Sequence, residues 1–480
     1  MNLRKILDSL EILNNFQDLD QEINDIFYDS RLVQKGSLFV CLDGYYFDGH
    51  KFALDAVRNG ASAVVCEKDL GLENQILVKN SREALSKISA NFFDHPSRKL
   101  KVIAITGTKG KTTVSSLISK ILNNSGRKTA QIGTLGAIFG NEVINTKNTT
   151  PESFELQELL KHALDLGFEY VVIEASSVGL KSHRLDDIDI DYGVFTNISS
   201  DHIGPNEHDN FDDYINSKSM LFKMCKKGFV NIDDPLCERV IRSHSCSIST
   251  YGFSKDADIC CSDYEFCNSK FGSVFFVKNN KFILNIPGRY NIYNALSSIA
   301  VCSEIGVKYD TMRDSIENCS IAGRSEVVFK NSYFTIMVDY AHNSFGLENA
   351  INSLREYNPK RIVTLFGAGG NRSKDRRAPM GRVSGTLSDL TVITSDNPRF
   401  EDPLDIIQDI EKGICETSGK FVVIPNRKEA IKYCIDNAEQ GDLILLAGKG
   451  HECYQEINGV FYDFDERKVV NSVLHERGIC

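Results

Sequence analysis

The densest set of chemically useful residues is K-V-I-A-I-T-G-T-K-G-K-T-T at 101–113, an apolar strand pattern running into Gly107, Thr108, Lys109, Gly110, Lys111, Thr112 and Thr113. Backbone N–H groups of such a loop, together with the start of the following helix, form a positively polarised nest for phosphate oxygens. Lys111 would reach the β- and γ-phosphates of a nucleotide, and the Thr112 hydroxyl would ligate Mg²⁺. Ile105 stands where the strict phosphate-loop pattern has its first glycine, so this is a shorter variant. The competing reading is a glycine turn joining a strand to a helix. Further along, Y-V-V-I-E-A-S-S puts Glu174 at the end of an apolar run, where an unpaired carboxylate is expensive. His202 follows the next such run in S-D-H-I-G, and Lys218 lies in Y-I-N-S-K-S-M-L-F on a helical pattern. Any one of them alone reads as structural. Together, after a phosphate loop, they predict nucleotide chemistry assisted by a metal.

These side chains need a scaffold, and the chain of 480 residues is long enough for about three domains. In the first stretch, S-L-F-V-C-L reads as a strand, F-A-L-D-A-V-R-N-G as a helix closed by Gly60, and A-S-A-V-V-C as the next strand. Pro96 is expected to stop the helix that precedes H-P-S-R-K-L-K. From 101 onward come V-I-A-I-T, a helix to Gly126, Y-V-V-I-E-A and Y-G-V-F-T-N. A last block holds Y-F-T-I-M-V-D-Y, R-I-V-T-L-F-G, L-T-V-I-T-S-D and D-L-I-L-L-A-G. Short, wholly apolar strands are buried on both faces, so the sheets are mostly parallel, and ligands bind at their carboxyl ends. The expected fold class is α/β in three domains: an N-terminal α/β domain at 1–98, a central parallel-sheet phosphate-loop domain at 99–325, and a C-terminal Rossmann-like α/β domain at 326–480.

With 55 basic and 65 acidic residues the net charge is −10, which disfavours a nucleic-acid partner while leaving room for a local basic pocket. The 14 cysteines contain no C-x-x-C element and are scattered, as expected of reduced thiols. No signal peptide and no membrane span are expected, so the reading is a cytoplasmic protein acting as a monomer.

The spaced motifs G-T-K-G-K-T-T, E-A-S-S, T-N-I-S-S-D-H, Y-I-N-S-K, P-G-R-Y-N-I-Y-N, A-G-R-S-E, V-D-Y-A-H, G-A-G-G-N-R, S-D-N-P-R-F-E-D-P and A-G-K-G-H-E occur in one order across nearly the whole chain. In this the sequence resembles the Mur ligases, ATP-dependent amide-forming enzymes of peptidoglycan precursor synthesis, and its last two motifs are similar to the tripeptide-forming branch. The resemblance implies that ATP phosphorylates the γ-carboxyl of D-Glu in UDP-MurNAc-L-Ala-D-Glu, and that an incoming amino group attacks the acyl phosphate. It implies that Thr112 and Glu174 serve one Mg²⁺, and that His202 and Lys218, the lysine carbamylated by CO₂, serve a second. Asn291 and Asn294 would read adenine, although Asn294 also suits a helix-start cap. Arg324 would meet phosphates, and Asp339 and His342 would arrive from the third domain to complete the nucleotide site on closure.

For the amino acid, the resemblance points to Arg377, Asp396, Asn397, Arg399, Gly448 and Glu452. An Arg fork pairs with a carboxylate, which meso-2,6-diaminopimelate carries at its far end and L-lysine lacks. Lysine would bring an ammonium to Arg399 instead, so diaminopimelate is favoured and lysine is the alternative. Glu452 would meet the distal ammonium. Ser30, within D-S-R, matches a uridine contact, with Asp29 and Arg31 as an ion pair. Thr149, Thr150, Ser177 and Arg184 match positions that hold the sugar-phosphate and peptide. Val178 and the stretch I-G-P-N-E-H-D-N-F depart from the family pattern. Two other readings compete: another ligase of the superfamily, such as a folylpolyglutamate synthetase, and a non-catalytic nucleotide-dependent scaffold. The D-S-R segment favours a UDP-linked substrate over folate.

Overall fold

The computed structural model describes all residues except 45, 46, 200–202, 205, 206, 268–270 and 480. The expected His202 therefore lies outside the described residues. The chain falls into two compact units, Met1–Cys261 with Tyr293–Ser315, and Ser262–Ile292 with Ile316–Cys480.

The first unit carries two sheets. The N-terminal one has four parallel strands, Ile26–Phe27, Ser37–Val40, Ala61–Cys66 and Gln75–Leu77, paired in chain order. The helix Ala53–Arg58 makes the expected crossover, and Leu38, Val40, Ala63, Val65 and Ile76 bury one face of the sheet. Pro96 does not end the preceding helix. Ser81–Phe92 stops four residues earlier, where Asp94 and His95 take left-handed φ values of 58° and 47°. The proline instead opens the short 3₁₀ turn Pro96–Lys99, as its missing N–H and its bias against a helical predecessor favour.

The second sheet of this unit has Lys101–Thr106 at its centre. On one side lie Tyr170–Glu174 and then Thr129–Gly133; on the other lie Ile190–Phe195, Cys225–Asn231 and Ser247–Gly252, all parallel. Chain order reverses direction at the central strand, so its carboxyl end is the topological switch point where ligands bind. The antiparallel strands Gly136–Phe139 and Glu142–Ile144 extend one edge, an addition the apolar pattern did not announce. The core between sheet and helices gathers Val102, Ala104, Ile132, Ile173, Phe195 and Val230.

In the second unit a six-stranded sheet runs Glu326–Lys330, Phe334–Asp339, Asp442–Ala447, Arg361–Phe366, Leu390–Ile393 and Phe421–Val423. All but the first pair in parallel. Apolar clusters cover both faces, one around Met337, Phe366, Ile393 and Leu445, the other around Val338, Leu365, Ile431 and Leu474. Each central strand ends at a motif: V-D-Y-A-H, A-G-K-G-H-E, G-A-G-G-N-R and S-D-N-P-R. Among the described residues no helix is long and apolar enough to cross a membrane.

The helices Arg377–Leu387 and Pro403–Ile414 approach so closely that a Cβ on Gly413 would overlap the Ala378 carbonyl oxygen, and one on Gly381 that of Ile410. Gly413→Ala should lower stability by about 1–3 kcal/mol through overpacking, read from the urea unfolding midpoint. The gain that alanine brings to an unconstrained helix site would contradict this packing.

Candidate active site

At the switch point of the first unit, Lys101–Thr106 leads through Gly107–Gly110 into the helix Lys111–Asn124. Gly110 is the N-cap with φ 89°, and a Cβ there would overlap Asn294 Oδ1, so only glycine fits. The loop is braced from the end of the neighbouring strand. Thr108 N–H donates to the Asn197 carbonyl (2.8 Å), Lys109 N–H to Asn197 Oδ1 (3.0 Å), and Thr196 Oγ1 to the Lys109 carbonyl (2.6 Å). Thr112 and Thr113 are buried in the first turn of the helix.

Two ammonium groups converge on one carbonyl of this loop. Lys111 Nζ donates to Gly107 O at 2.8 Å and to Thr108 O at 3.2 Å, and Lys218 Nζ donates to Gly107 O at 2.9 Å. Lys218 is 1% exposed, on the helix Phe211–Ser219, with its Nζ 4.6 Å above the Tyr214 ring. The Tyr214 hydroxyl in turn meets Thr108 Oγ1 at 3.0 Å. Tyr214 was not foreseen, although its position one helical turn before Lys218 is the usual spacing for side chains that share a face.

Glu174 ends the strand Tyr170–Glu174 with no exposed surface. Its Oε2 accepts from the hydroxyls of Thr112 and Thr134, both at 3.0 Å, and its Oε1 accepts from the Thr134 N–H at 3.0 Å. Among the described residues no cluster of three or more His, Cys, Asp or Glu could hold a metal. A buried carboxylate beside a threonine hydroxyl still fits Mg²⁺, which is commonly bound through one or two carboxylates plus substrate phosphates. Thr149 Oγ1 lies 3.2 Å from Thr134 Oγ1, and Thr150 Oγ1 donates to the Glu174 carbonyl (2.7 Å) and to Ser176 Oγ (2.9 Å).

Ser177 reaches a chain of groups the sequence did not reveal. Its Oγ is 2.9 Å from His208 Nε2, His208 Nδ1 is 3.3 Å from Asp213 Oδ2, and Lys181 Nζ pairs with that oxygen at 2.6 Å. Burial holds the His208 imidazole below its ordinary range, against the pull of Asp213. A neutral ring protonated at Nδ1 would donate to the carboxylate and accept from the serine. Arg184 donates to the Thr150 carbonyl (2.8 Å) and to Glu152 Oε1 (2.5 Å). In the N-terminal sheet region the Ser30 carbonyl accepts from Asn59, and Asp29 pairs with Arg31 at 2.6 Å, as expected.

In the second unit the amino-acid candidates meet beyond Leu390–Ile393 and Asp442–Ala447. Asn397 Nδ2 donates to Glu452 Oε2 (2.8 Å), and Lys449 Nζ donates to Asn397 Oδ1 (3.0 Å) and Glu452 Oε2 (3.1 Å). A Cβ on Gly448 would lie 2.6 Å from Asp396 Oδ2. Burial raises the Glu452 carboxyl, with Lys449 opposing the shift. Lys449, fully buried within A-G-K-G-H-E, is a member that motif reading alone did not single out. Arg399, at φ 53°, donates from Nε to Glu456 Oε2 (2.9 Å) and from Nη1 to the Gly370 carbonyl (2.7 Å). Arg377 is 1% exposed and grips both oxygens of Glu401 (2.9 and 2.8 Å) and Asp409 (3.1 Å), so in this structure it braces the segment after Arg399.

The nucleotide candidates of this unit lie alongside. Asp339 accepts from the Ser325 N–H (2.7 Å), and its carboxyl is raised by burial against the pull of Arg324. Arg324 sits 4.6 Å over the Tyr340 ring, and His342 packs on the same ring at 4.7 Å. Asn291 donates to the Pro287 carbonyl (2.7 Å). Asn294 belongs to the first unit and falls within the helix Arg289–Glu304, so it is not a helix-start cap.

His451 also packs on Tyr340, at 4.9 Å between ring centroids. Burial, aided by the Arg324 and Arg467 cations, pushes its imidazole from 6.5 down to about 4. The unfolded chain takes up a proton here at a higher pH than the folded one. The stabilisation is therefore complete above 6.5 and is lost as pH falls toward 4. His451→Phe should flatten the fall in urea midpoint over that window, and an unchanged slope would contradict the burial argument.

Comparison with known proteins bears on this arrangement. Three Mur ligase family models match: the "Mur ligase family, catalytic domain" at 22–93, the "Mur ligase middle domain" at 105–302, and the "Mur ligase, glutamate ligase domain" at 323–450. The UDP-N-acetylmuramoyl-L-alanyl-D-glutamate--2,6-diaminopimelate ligase of Clostridium botulinum is 40% identical over 99% of this chain and 100% of its own length. A solved structure of a ligase of that same name is 29% identical with a TM-score of 0.71, covering 100% of this chain and 99% of the other. The MurF ligase of Thermotoga maritima in complex with ADP, 20% identical over 94% of this chain and 97% of its own, shares the fold with a TM-score of 0.60. The chain has the family's three-domain α/β fold, and it belongs to the Mur ligase family.

Proposed function

We propose that the protein is the ATP-dependent ligase that joins meso-2,6-diaminopimelate to the D-Glu γ-carboxyl of UDP-MurNAc-L-Ala-D-Glu, in the cytoplasm and as a monomer. Residues 1–98 are assigned to the UDP end of the substrate, 99–325 to ATP and 326–480 to the amino acid. The observation that carries the reading is the convergence of Lys111 and Lys218 on the phosphate loop beside the Thr112–Glu174 pair. The full-length kinship with ligases named for this reaction supports it.

A carboxylate is a poor electrophile, so its oxygen first attacks the γ-phosphorus of ATP and ADP leaves. The neutral amine, its ammonium proton released to solvent, then attacks the acyl phosphate. The tetrahedral intermediate loses an N–H proton to solvent and expels phosphate to leave an amide. In this scheme Lys111 leaves the Gly107 and Thr108 carbonyls for the phosphoryl oxygens, and the loop amides with the helix start hold the phosphates. Thr112 and Glu174 would hold one Mg²⁺, and His202 with Lys218 as its carbamate a second. Such ions, when bound, would supply charge neutralisation for the transferred phosphoryl group. Asn291, Asn294, Arg324, Asp339 and His342 are assigned to the nucleotide; Ser30, Thr149, Thr150, Ser177 and Arg184 to the UDP-sugar peptide. Asp396, Asn397, Arg399, Gly448 and Glu452 are assigned to the amino acid, with Arg377 as support.

The Arg399 fork would receive the distal carboxylate of diaminopimelate, and Glu452 the distal ammonium. L-lysine is the second reading, favoured by one observation: Glu456 already pairs with Arg399 and offsets the charge that would repel a lysine ammonium.

Phosphate release in the presence of ATP, Mg²⁺, UDP-MurNAc-L-Ala-D-Glu and each amino acid tests both readings. Release should be fastest with diaminopimelate. No release with any amino acid would overturn the ligase assignment, and faster release with lysine would overturn the role given to Arg399. Lys218→Ala should abolish turnover, with partial return on adding acetate, whereas full activity in that variant would reject the carbamate.

A further inference from the structure

The two loops assigned to the amino acid do not leave neighbouring strands. Leu390–Ile393, which leads to Asp396–Arg399, and Asp442–Ala447, which leads to Gly448–Glu452, are separated in the sheet by Arg361–Phe366. The ladder therefore does not join the two loops where they leave the sheet; backbone bonds meet farther along, where Arg399 N–H donates to the Glu456 carbonyl (3.1 Å) and Asn458 N–H to the Arg399 carbonyl (2.7 Å). At the starts of the two loops, one side chain reaches both. Arg427, the first residue of the helix Arg427–Asp436, donates from Nη1 to the Ser395 carbonyl (3.2 Å) and from Nη2 to the Ala447 carbonyl (2.7 Å). Each of those carbonyls immediately precedes one of the two loops.

The guanidinium is held from behind by Glu466, whose Oε1 accepts from Nε at 2.9 Å and pairs with Nη2 at 2.7 Å. Neither side chain of this pair has any exposed surface. Glu466 opens the helix Glu466–Glu476, where the first-turn amides favour a negative charge. A buried ion pair is a poor device for stability alone, because apolar side chains of equal volume serve as well. Its specific property here is geometry: a planar fork fixes several acceptors in one arrangement, which the single ammonium of lysine cannot.

We propose that Arg427, oriented by Glu466, is a positioning residue for amino-acid selection, setting the spacing between the Asp396–Arg399 and Gly448–Glu452 loops. This rests on the assignment of those loops to the amino acid. Across the loops Asn397 meets Lys449 and Glu452, contacts that a small change in spacing would break.

The test compares full-length wild type with Arg427→Lys and Glu466→Gln. Arg427→Lys should raise KM for diaminopimelate about 10- to 100-fold and narrow its preference over lysine. KM for ATP and for the UDP-linked substrate should stay near wild type. Glu466→Gln keeps an acceptor for Arg427, so the same split should appear in weaker form; it carries the comparison if Arg427→Lys does not fold. Amide hydrogen exchange should quicken in the two loops in both variants. An unchanged KM for diaminopimelate, or all three KM values shifting together with the melting temperature, would overturn the proposal. A wild type inactive with every amino acid would overturn the functional reading instead. Unchanged exchange in both loops would then still overturn the positioning role.

Discussion

The first unit is organised around a carboxylate with no exposed surface. Glu174 lies at the end of a buried strand, and its two oxygens are served by the Thr112 hydroxyl and by both donors of Thr134. Leaving such a group unserved costs several kcal/mol, so the register of three segments follows from it: the helix after the phosphate loop, the turn after Thr129–Gly133, and the strand itself. Gly133 fits the same constraint, since a Cβ there would overlap the carboxylate. The phosphate loop obeys a similar rule with the sign reversed. Two buried or half-buried ammonium groups are satisfied by the Gly107 carbonyl, and a nucleotide would replace these internal acceptors with phosphate oxygens.

The second unit uses the same economy on a different sheet. Its parallel strands are apolar through their middles, and the polar candidates begin at the strand ends, with Asp339 as the last residue of one strand and the others in the turns beyond. Buried ions stand behind the loops and not within a cleft: Arg377 behind Glu401, and Arg427 on the carbonyls before two motifs. On the proposed reading, in which these loops distinguish a carboxylate from an ammonium at the far end of a small molecule, the charges need placing to within a fraction of an ångström, and fixed forks would provide that.

Most of the scaffold was legible in the sequence because buried parallel strands are short apolar runs closed by glycine or a polar motif. V-I-A-I-T, Y-V-V-I-E-A and D-L-I-L-L-A-G fall where strands are found. The helical pattern Y-I-N-S-K-S-M-L-F holds Lys218 on a helix, as found, and the family resemblance groups Asn397 with Glu452, which do meet. What escaped shares one property: it depends on partners distant in sequence. Thr134 is an unremarkable turn residue until Glu174 arrives forty positions later. His208 and Asp213 share no motif with Ser177, the one of the three expected from sequence, and Arg427 in N-R-K-E-A-I has the look of an exposed helix start until Glu466 packs on it. Helix ends were misjudged where backbone conformation outweighed composition, as at Asp94 and His95 before Pro96.

The central claim is that a carboxylate is activated by phosphorylation at this loop and not by transfer of a nucleotidyl group. The direct measurement uses UDP-MurNAc-L-Ala-D-Glu labelled with ¹⁸O in the D-Glu γ-carboxylate, followed by mass analysis of the phosphate released during amide formation. The account predicts inorganic phosphate carrying one labelled oxygen, together with ADP. Amide formation with unlabelled inorganic phosphate, or with label appearing in AMP, would contradict it.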